Sequence, residues 1–398
     1  MESVRSVQRK IAPETKPAAV DGIQPRHELF IGVQILRGLA ALVVMLQHDS
    51  VAMAERAFDP SLRFDWGQCG VDIFFAISGF VMVVVTAGMW GQPGAAKPFL
   101  VRRLIRVAPL YWLFTAFKIA LLLAMPALAI STVLTRWHVI SSFLFIPDAT
   151  PGPVVMVGWT LSFEMLFYAL FAAMLALRLR PVLWLSGLLV LMALAGTLRT
   201  EAWPAPTKLL DPLLIEFVFG MLIGVAALQK RYLPFRLALV LAGLSIAALL
   251  ASQVLGDDAR AIRLFIWGIP ALVLLAAVVS LEDWLRTKSL AFNPITFMPI
   301  TFKPITWLVA LGAWSYSLYL SHGFVVDFVW VVAAKLHLAH GLLTYLIYAA
   351  AICLCVATAG AVHYAVELPM TRFLNRKYRK SATARGVSGG ATAALATS

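Results

Sequence analysis

Charge is what this sequence has least of. Only 13% of its 398 residues are Asp, Glu, Lys or Arg, while 61% are hydrophobic, and the mean hydropathy is +0.85. Soluble domains carry roughly 25% charge, so a water-soluble globule is excluded: a chain of this size cannot hide that much apolar surface. Cysteine is scarce as well. Cys69, Cys353 and Cys355 match neither a disulfide framework nor a zinc spacing. All three therefore read as ordinary helix residues, and neither a metal nor a permanently bound cofactor is expected. A cleavable signal is not evident either, because the first apolar run begins only near Ile31. The net charge of +13 is not a nucleic-acid footprint, since the basic residues lie between apolar runs and not along one face.

What is present is a ladder of apolar runs. A spanning helix needs about 20 mostly apolar residues. That ruler predicts an all-α polytopic membrane protein with ten spans, near 31–54, 68–88, 104–125, 158–178, 181–198, 210–228, 234–254, 263–281, 305–328 and 342–369. The fifth is short, and 126–157 has room for a re-entrant segment. Residues 1–30 form a polar N-terminal segment, 31–376 the membrane domain, and 377–398 a small, polar tail expected to be disordered. Residues 294–306 repeat Pro-Ile-Thr every five positions, which excludes a helix interior and predicts an extended linker. Of the 33 basic residues, 23 fall on the side of the ladder that carries both termini and 8 on the other, with Arg37 and Lys118 inside spans. That bias predicts that both termini are cytoplasmic.

Ionisable side chains within such runs cost on the order of 3 kcal/mol each on insertion scales, so each needs a reason. The first span carries Arg37 and, eleven residues on, His48. Helical rise separates them by ~16 Å along the axis. The second span runs back and opens Gly70-Val71-Asp72, with Ser78-Gly79 at its middle. The fourth opens Gly158-Trp159 and reaches Glu164, and the ninth runs from Trp314 through Tyr316 and Tyr319 to His322. Read by depth, His48, Asp72, Glu164 and His322 converge on an outer layer. A second, inner layer holds Arg37, Arg102, Arg103, Arg106 and Glu367. Arg103 and Arg106 are three apart and share a helix face, where two guanidinium forks suit a phosphate. Trp66, Trp90, Trp112, Trp137 and Trp159 near span ends read as an aromatic belt.

In this order and spacing, Arg37-Gly38-Leu39 with His48, Gly70-Val71-Asp72, Arg103 and Arg106 with Pro109, Trp159 to Glu164, Ser315 to His322, and Glu367-Leu368-Pro369 resemble the acyltransferase 3 family. These are multi-pass membrane enzymes that O-acylate polysaccharides, lipid-linked sugars and related acceptors. Ile77 to Met82, Phe145-Ile146-Pro147 and Trp159 to Glu164 are similar to the branch that acetylates exopolysaccharide precursors. The resemblance implies a bacterial inner-membrane acyltransferase that takes acetyl-CoA, or another acyl-CoA, as co-substrate. It implies an essential His48 and an acyl-donor role for Arg103 and Arg106, with Arg37 beside them. No extracytoplasmic hydrolase-like domain is expected after the last span.

These readings combine into one expected mechanism. Acyl-CoA docks on Arg37, Arg103 and Arg106, and His48 serves as general base or as acyl carrier. Asp72 or Glu164 orients the imidazole, while Ser78, Tyr316 and His322 belong to the acceptor side. Acetyl is the expected acyl group, with succinyl the alternative. The competing function is a glycolipid flippase or proton-coupled transporter, in which the same His, Asp and Glu would relay protons.

Overall fold

The computed structural model describes residues 30–125, 134–148, 152–200, 202–254, 262–289 and 304–384. Among them every regular element is helical. The helices are α1 (Ile31–Ala57), α2 (Cys69–Thr86), α3 (Ala96–Ala124), α4 (Arg136–Phe143), α5 (Gly158–Ala176), α6 (Pro181–Thr197) and α7 (Leu214–Leu228). They continue with α8 (Phe235–Ala251), α9 (Ile269–Ser280), α10 (Glu282–Ser289), α11 (Pro304–Lys335), α12 (Gly341–Val362) and α13 (Leu368–Ala384). Eight helical segments among the described residues are long and apolar enough to cross a membrane. Two shorter apolar ones, Pro181–Thr197 and Leu264–Ser280, fall where the fifth and eighth spans were expected. The protein is a multi-pass membrane protein.

Because the segments alternate, the loops sort onto two faces. The start of α1, the α2–α3 turn, the α7–α8 turn, α10 and α13 share one, called here the terminal face. The α1–α2, α3–α5, α6–α7 and α11–α12 connections share the opposite face. On the terminal face Glu282 caps α1 from a distant part of the chain, accepting from the backbone N–H groups of Ile31 at 2.7 Å and Gly32 at 2.9 Å. Those are two of the donors a helix start leaves unpaired. Burial holds the Glu282 carboxyl above the usual carboxylate range, against the pull of these N–H groups and of Arg286.

Two helix pairs form the core, α1 against α11 and α2 against α7. Each is close because glycine faces backbone. A Cβ on Gly38 would stand 2.7 Å from the Gly312 backbone nitrogen, and one on Gly312 would collide with the Gln34 carbonyl. Gly79 and Gly220 meet the carbonyls of Phe217 and Ala76 in the same way. Small residues of this kind let helices approach where lipid provides no hydrophobic drive. Aromatic rings fill the space behind α2, with Phe75 and Phe167 stacked on Phe217 at centroid distances of 4.7 and 4.5 Å.

Several differences from the sequence reading concern the connections. The short helix α4 is the regular element in the described part of the α3–α5 connection, and no long apolar helix lies there. α12 does not end with its apolar run: a π-helical turn over His363–Glu367 carries it straight into α13. α13 continues to Ala384, past residue 377, where the sequence alone began the tail. The stretch from Leu368 to Lys380 holds no helix breaker beyond Pro369 near its start, so nothing in it ends the helix early. Residues 1–29, 290–303 and 385–398 lie outside the described residues, while 304–306, expected as the end of an extended linker, open α11 as helix, since a proline is tolerated in a first helical turn.

Candidate active site

The close crossing of α1 and α11 brings two histidines from 274 residues apart in sequence into contact. His322 Nε2 lies 3.3 Å from His48 Nδ1, and the ring centroids are 5.0 Å apart. Each ring also faces a carbonyl one turn back on its own helix: His48 Nδ1 is 2.9 Å from the Val44 oxygen, and His322 Nδ1 is 3.0 Å from that of Leu318. A carbonyl oxygen only accepts, so in the neutral rings both Nδ1 atoms carry the proton. His322 Nε2 then accepts a second branch of the His48 Nδ1–H bond, and His48 Nε2 keeps its lone pair. His322 is 1% exposed, whereas His48 is half-buried. His48 is therefore the more accessible ring of the pair.

Sequence reasoning placed Asp72 and Glu164 in the same layer as His48, one of them to orient it. In the structure no hydrogen bond links either to His48. Asp72 is fully buried and bound by the fork of Arg263, with Nε at 3.1 Å and Nη2 at 2.7 Å from its two oxygens. Arg263 in turn stands 5.2 Å from the Trp267 ring. Glu216, also fully buried, lies against Asp72 within hydrogen-bonding reach of its carboxyl group, and within electrostatic reach of Arg263. Glu164 belongs to a different layer. It accepts from Ser78 Oγ at 3.0 Å and from the Tyr168 hydroxyl. Ser78 is six residues further along α2 than Asp72, which places Glu164 ~9 Å deeper than Asp72 toward the terminal face. The contacts that hold the His48 ring come instead from the Val44 carbonyl and from His322.

Glu164 marks the edge of a cluster that contains all three predicted donor-side arginines. Arg37 donates to Ser315 Oγ at 3.0 Å and to Gln34 at 3.1 Å. Arg106 repels it electrostatically, while Glu367 and Glu164 attract it. The Arg103 guanidinium lies 5.8 Å from the Tyr168 ring and 6.0 Å from that of Phe99. Arg106 is the exposed member. Glu367 is held by Ser317 Oγ at 2.6 Å and His363 Nδ1 at 2.9 Å, the latter within the π-helical turn. The Tyr316 hydroxyl donates to the Val107 carbonyl at 2.6 Å, tying α11 to α3 beside this cluster. Three guanidinium groups against two carboxylates leave one cation in excess, so the cluster suits an anion. The histidine pair and the arginine cluster share α1 and lie ~16 Å apart along it.

A family profile described as an acyltransferase domain matches residues 30–363, most of the chain. The chain belongs to the acyltransferase 3 family. Among relatives of this acyltransferase, the exopolysaccharide production protein ExoZ of Rhizobium meliloti is 35% identical over 291 residues, 70% of this chain and 82% of its own. A Rhizobium radiobacter protein described as protein 2 in the picA locus is 29% identical over 221 residues, 52% of this chain and 98% of its own. No solved structure matches.

Sequence reasoning assigned no role to four ionisable groups of the acyltransferase, of which Asp49 and Glu216 are fully buried and Arg263 and His363 half-buried. Arg263 was counted as a loop cation, although an arginine heading an apolar run is itself a signal. Asp49, beside His48, is fully buried and accepts from Trp330 Nε1 at 2.6 Å. Glu216 interrupts the seventh helix, and His363 follows a long apolar stretch. Each could have been flagged as an ionisable residue inside a predicted span.

Proposed function

We propose that this acyltransferase moves an acetyl group from acetyl-CoA to a hydroxyl of an exopolysaccharide or of its lipid-linked precursor. The observation that carries the reading is His48: a half-buried imidazole whose hydrogen bonds leave Nε2 unprotonated, on the helix that also carries Arg37 of an anion-accepting cluster. The terminal face is cytoplasmic in this proposal, so acyl-CoA arrives on the side of Arg103 and Arg106. Its phosphates pair with the exposed Arg106 and with Arg103, and Arg37 lies deeper along the route of the pantetheine arm. The thioester then reaches His48. Nε2 takes the proton of the sugar hydroxyl as its oxygen attacks the thioester carbonyl, and the departing thiolate recovers that proton as CoA thiol. Positively charged His48 in the transition state is stabilised by the Val44 carbonyl and by His322 Nε2, which fill the place a carboxylate takes beside other catalytic histidines. The named role of ExoZ in exopolysaccharide production favours a polysaccharide acceptor.

The test is acetyl transfer by the purified protein in detergent, with labelled acetyl-CoA and de-O-acylated exopolysaccharide from the producing strain. A transporter shows no reaction without a sealed membrane, so turnover in detergent decides between the two functions. Absence of transfer to any saccharide, with acetyl-CoA bound normally, would remove the proposal.

A further inference from the structure

The opposite face contains a cavity of about 350 Å³ that the chemistry above does not use. It lies between the α4 region, the first turns of α5 and the segment ahead of α7. Small-molecule sites span roughly 300–1,000 Å³ and combine apolar walls with a few placed polar groups. This one has both. Trp159 and Phe163 form one wall, edge to face at 6.0 Å, and Tyr111 lies on another, its ring tilted against that of Phe145 at 4.9 Å. Ser162, Asp148 and Asp211 also line it.

Its walls are braced from several directions. The backbone N–H of Val154 donates to Ser142 Oγ at 3.0 Å, His138 Nε2 meets the Gly152 carbonyl at 2.6 Å, and Lys208 Nζ donates to the Asp148 carbonyl at 2.9 Å. Asp211 Oδ1 accepts from the Leu213 backbone at 2.9 Å, which fixes its carboxylate at the start of α7. A site held this way is formed before its ligand arrives.

Trp159 was expected to be a belt residue. Trp112 and Trp137 fit that role, at 43% and 53% exposed. Trp159 is half-buried and faces the cavity. Residues 159, 162 and 163 share one face of α5. The adjacent face carries Thr160, whose Oγ1 is 2.9 Å from the Tyr319 hydroxyl, and the Tyr319 ring is 6.1 Å from that of His322. The start of α5 and the Tyr319 side chain therefore lie between the cavity and the histidine pair.

We propose that this cavity is a saccharide subsite of the acceptor. It holds a sugar unit neighbouring the one acylated, with the apolar C–H face of the ring on Trp159 and hydroxyls toward Asp211, Asp148 and Ser162. This inference rests on the acyltransferase reading given above. A sugar suits such a lining because it pairs an apolar ring face with a polar rim, and a purely aliphatic or purely ionic ligand would leave one half of the lining unmatched.

The experiment uses the full-length protein in detergent and oligosaccharides released by partial acid hydrolysis from de-O-acylated exopolysaccharide. Trp159→Ala should raise the acceptor KM about tenfold while the acetyl-CoA KM stays near wild type, the order expected for losing one aromatic platform. Trp159→Phe should recover most of that loss. Asp211→Asn keeps an oxygen for the Leu213 N–H and removes the charge, so it carries the same test if Trp159→Ala does not fold. Unchanged acceptor KM in folded Trp159→Ala and Asp211→Asn overturns the subsite and leaves the acyltransferase reading intact. Saccharide quenching of tryptophan fluorescence is the second arm. Quenching by wild type that Trp159→Ala loses, in a protein that transfers no acetyl group, would keep the subsite and overturn the reaction. Neither quenching nor transfer would overturn both.

Discussion

At the scale of single residues, the site depends on which nitrogen of His48 is free. Because Nδ1 is committed to Val44 and His322, a side chain that only fills space cannot replace the ring. His48→Asn should insert, fold and bind acetyl-CoA, yet lose roughly 10²–10⁴ in single-turnover transfer, the usual size of a general-base effect. Wild-type turnover in that variant would assign the chemistry to another group. His322→Leu removes one of the two acceptors that orient His48 while sealing the same space. It should lower kcat and leave the acetyl-CoA KM unchanged; a change confined to KM would contradict a positioning role. Arg103→Ala and Arg106→Ala should each weaken acetyl-CoA binding by about 1.5–3 kcal/mol, the range for charged hydrogen bonds. Lysine should restore only part, because an ammonium lacks the fork. Normal acetyl-CoA affinity in both folded alanine variants would make the pair an orientation anchor. Asp72 behaves differently. It neutralises a half-buried Arg263, so Asp72→Ala should destabilise the fold by up to about 3–5 kcal/mol through the uncompensated cation, and a second change of Arg263→Met should recover much of it. Thermal melting in detergent distinguishes this from a purely catalytic loss, which would leave the melting temperature in place.

At the scale of elements, the α1–α11 crossing makes the site. Gly38 and Gly312 let the two backbones touch, and that approach is what closes both the His48–His322 contact and the Arg37–Ser315 bond. Leucine at Gly312 would have to push α11 away from the Gln34 carbonyl, at a cost of about 1–3 kcal/mol or more for overpacking. Gly312→Leu should therefore abolish transfer together with lowering the melting temperature. Gly243→Leu on α8, where nothing lies within reach of an added side chain, should change neither. Equal behaviour of the two variants would show that the crossing is not what holds the site. The helical spans were legible from the apolar runs, and so was one small-residue pair, Ser78-Gly79, while Gly38, Gly220 and Gly312 were not. Which helix each glycine faces was not, because apolar periodicity alone does not select among nine possible neighbours.

At the scale of the whole molecule, the two faces differ in charge, in connections and in proposed partners. With the terminal face in the cytoplasm, reporters inserted at residues 60, 145 and 205 should be accessible from outside, and those at 95 and 232 from inside. A reversed result at 95 would remove the cytoplasmic donor route. The sequence by itself determined the membrane class, the number of apolar segments and the relative depth of most ionisable groups along each helix. Depth is readable because every residue advances a helix by a fixed ~1.5 Å, so position in the chain converts to position along the axis. Only the tertiary structure decided who meets whom at a given depth. His48 and Asp72 begin from similar levels, but the rotation of α2 turns Asp72 toward Arg263 and Glu216, while the crossing of α11 supplies His322 instead. Rotation about a helix axis and the choice of neighbour follow from side-chain packing summed over many residues, which no single segment of sequence contains.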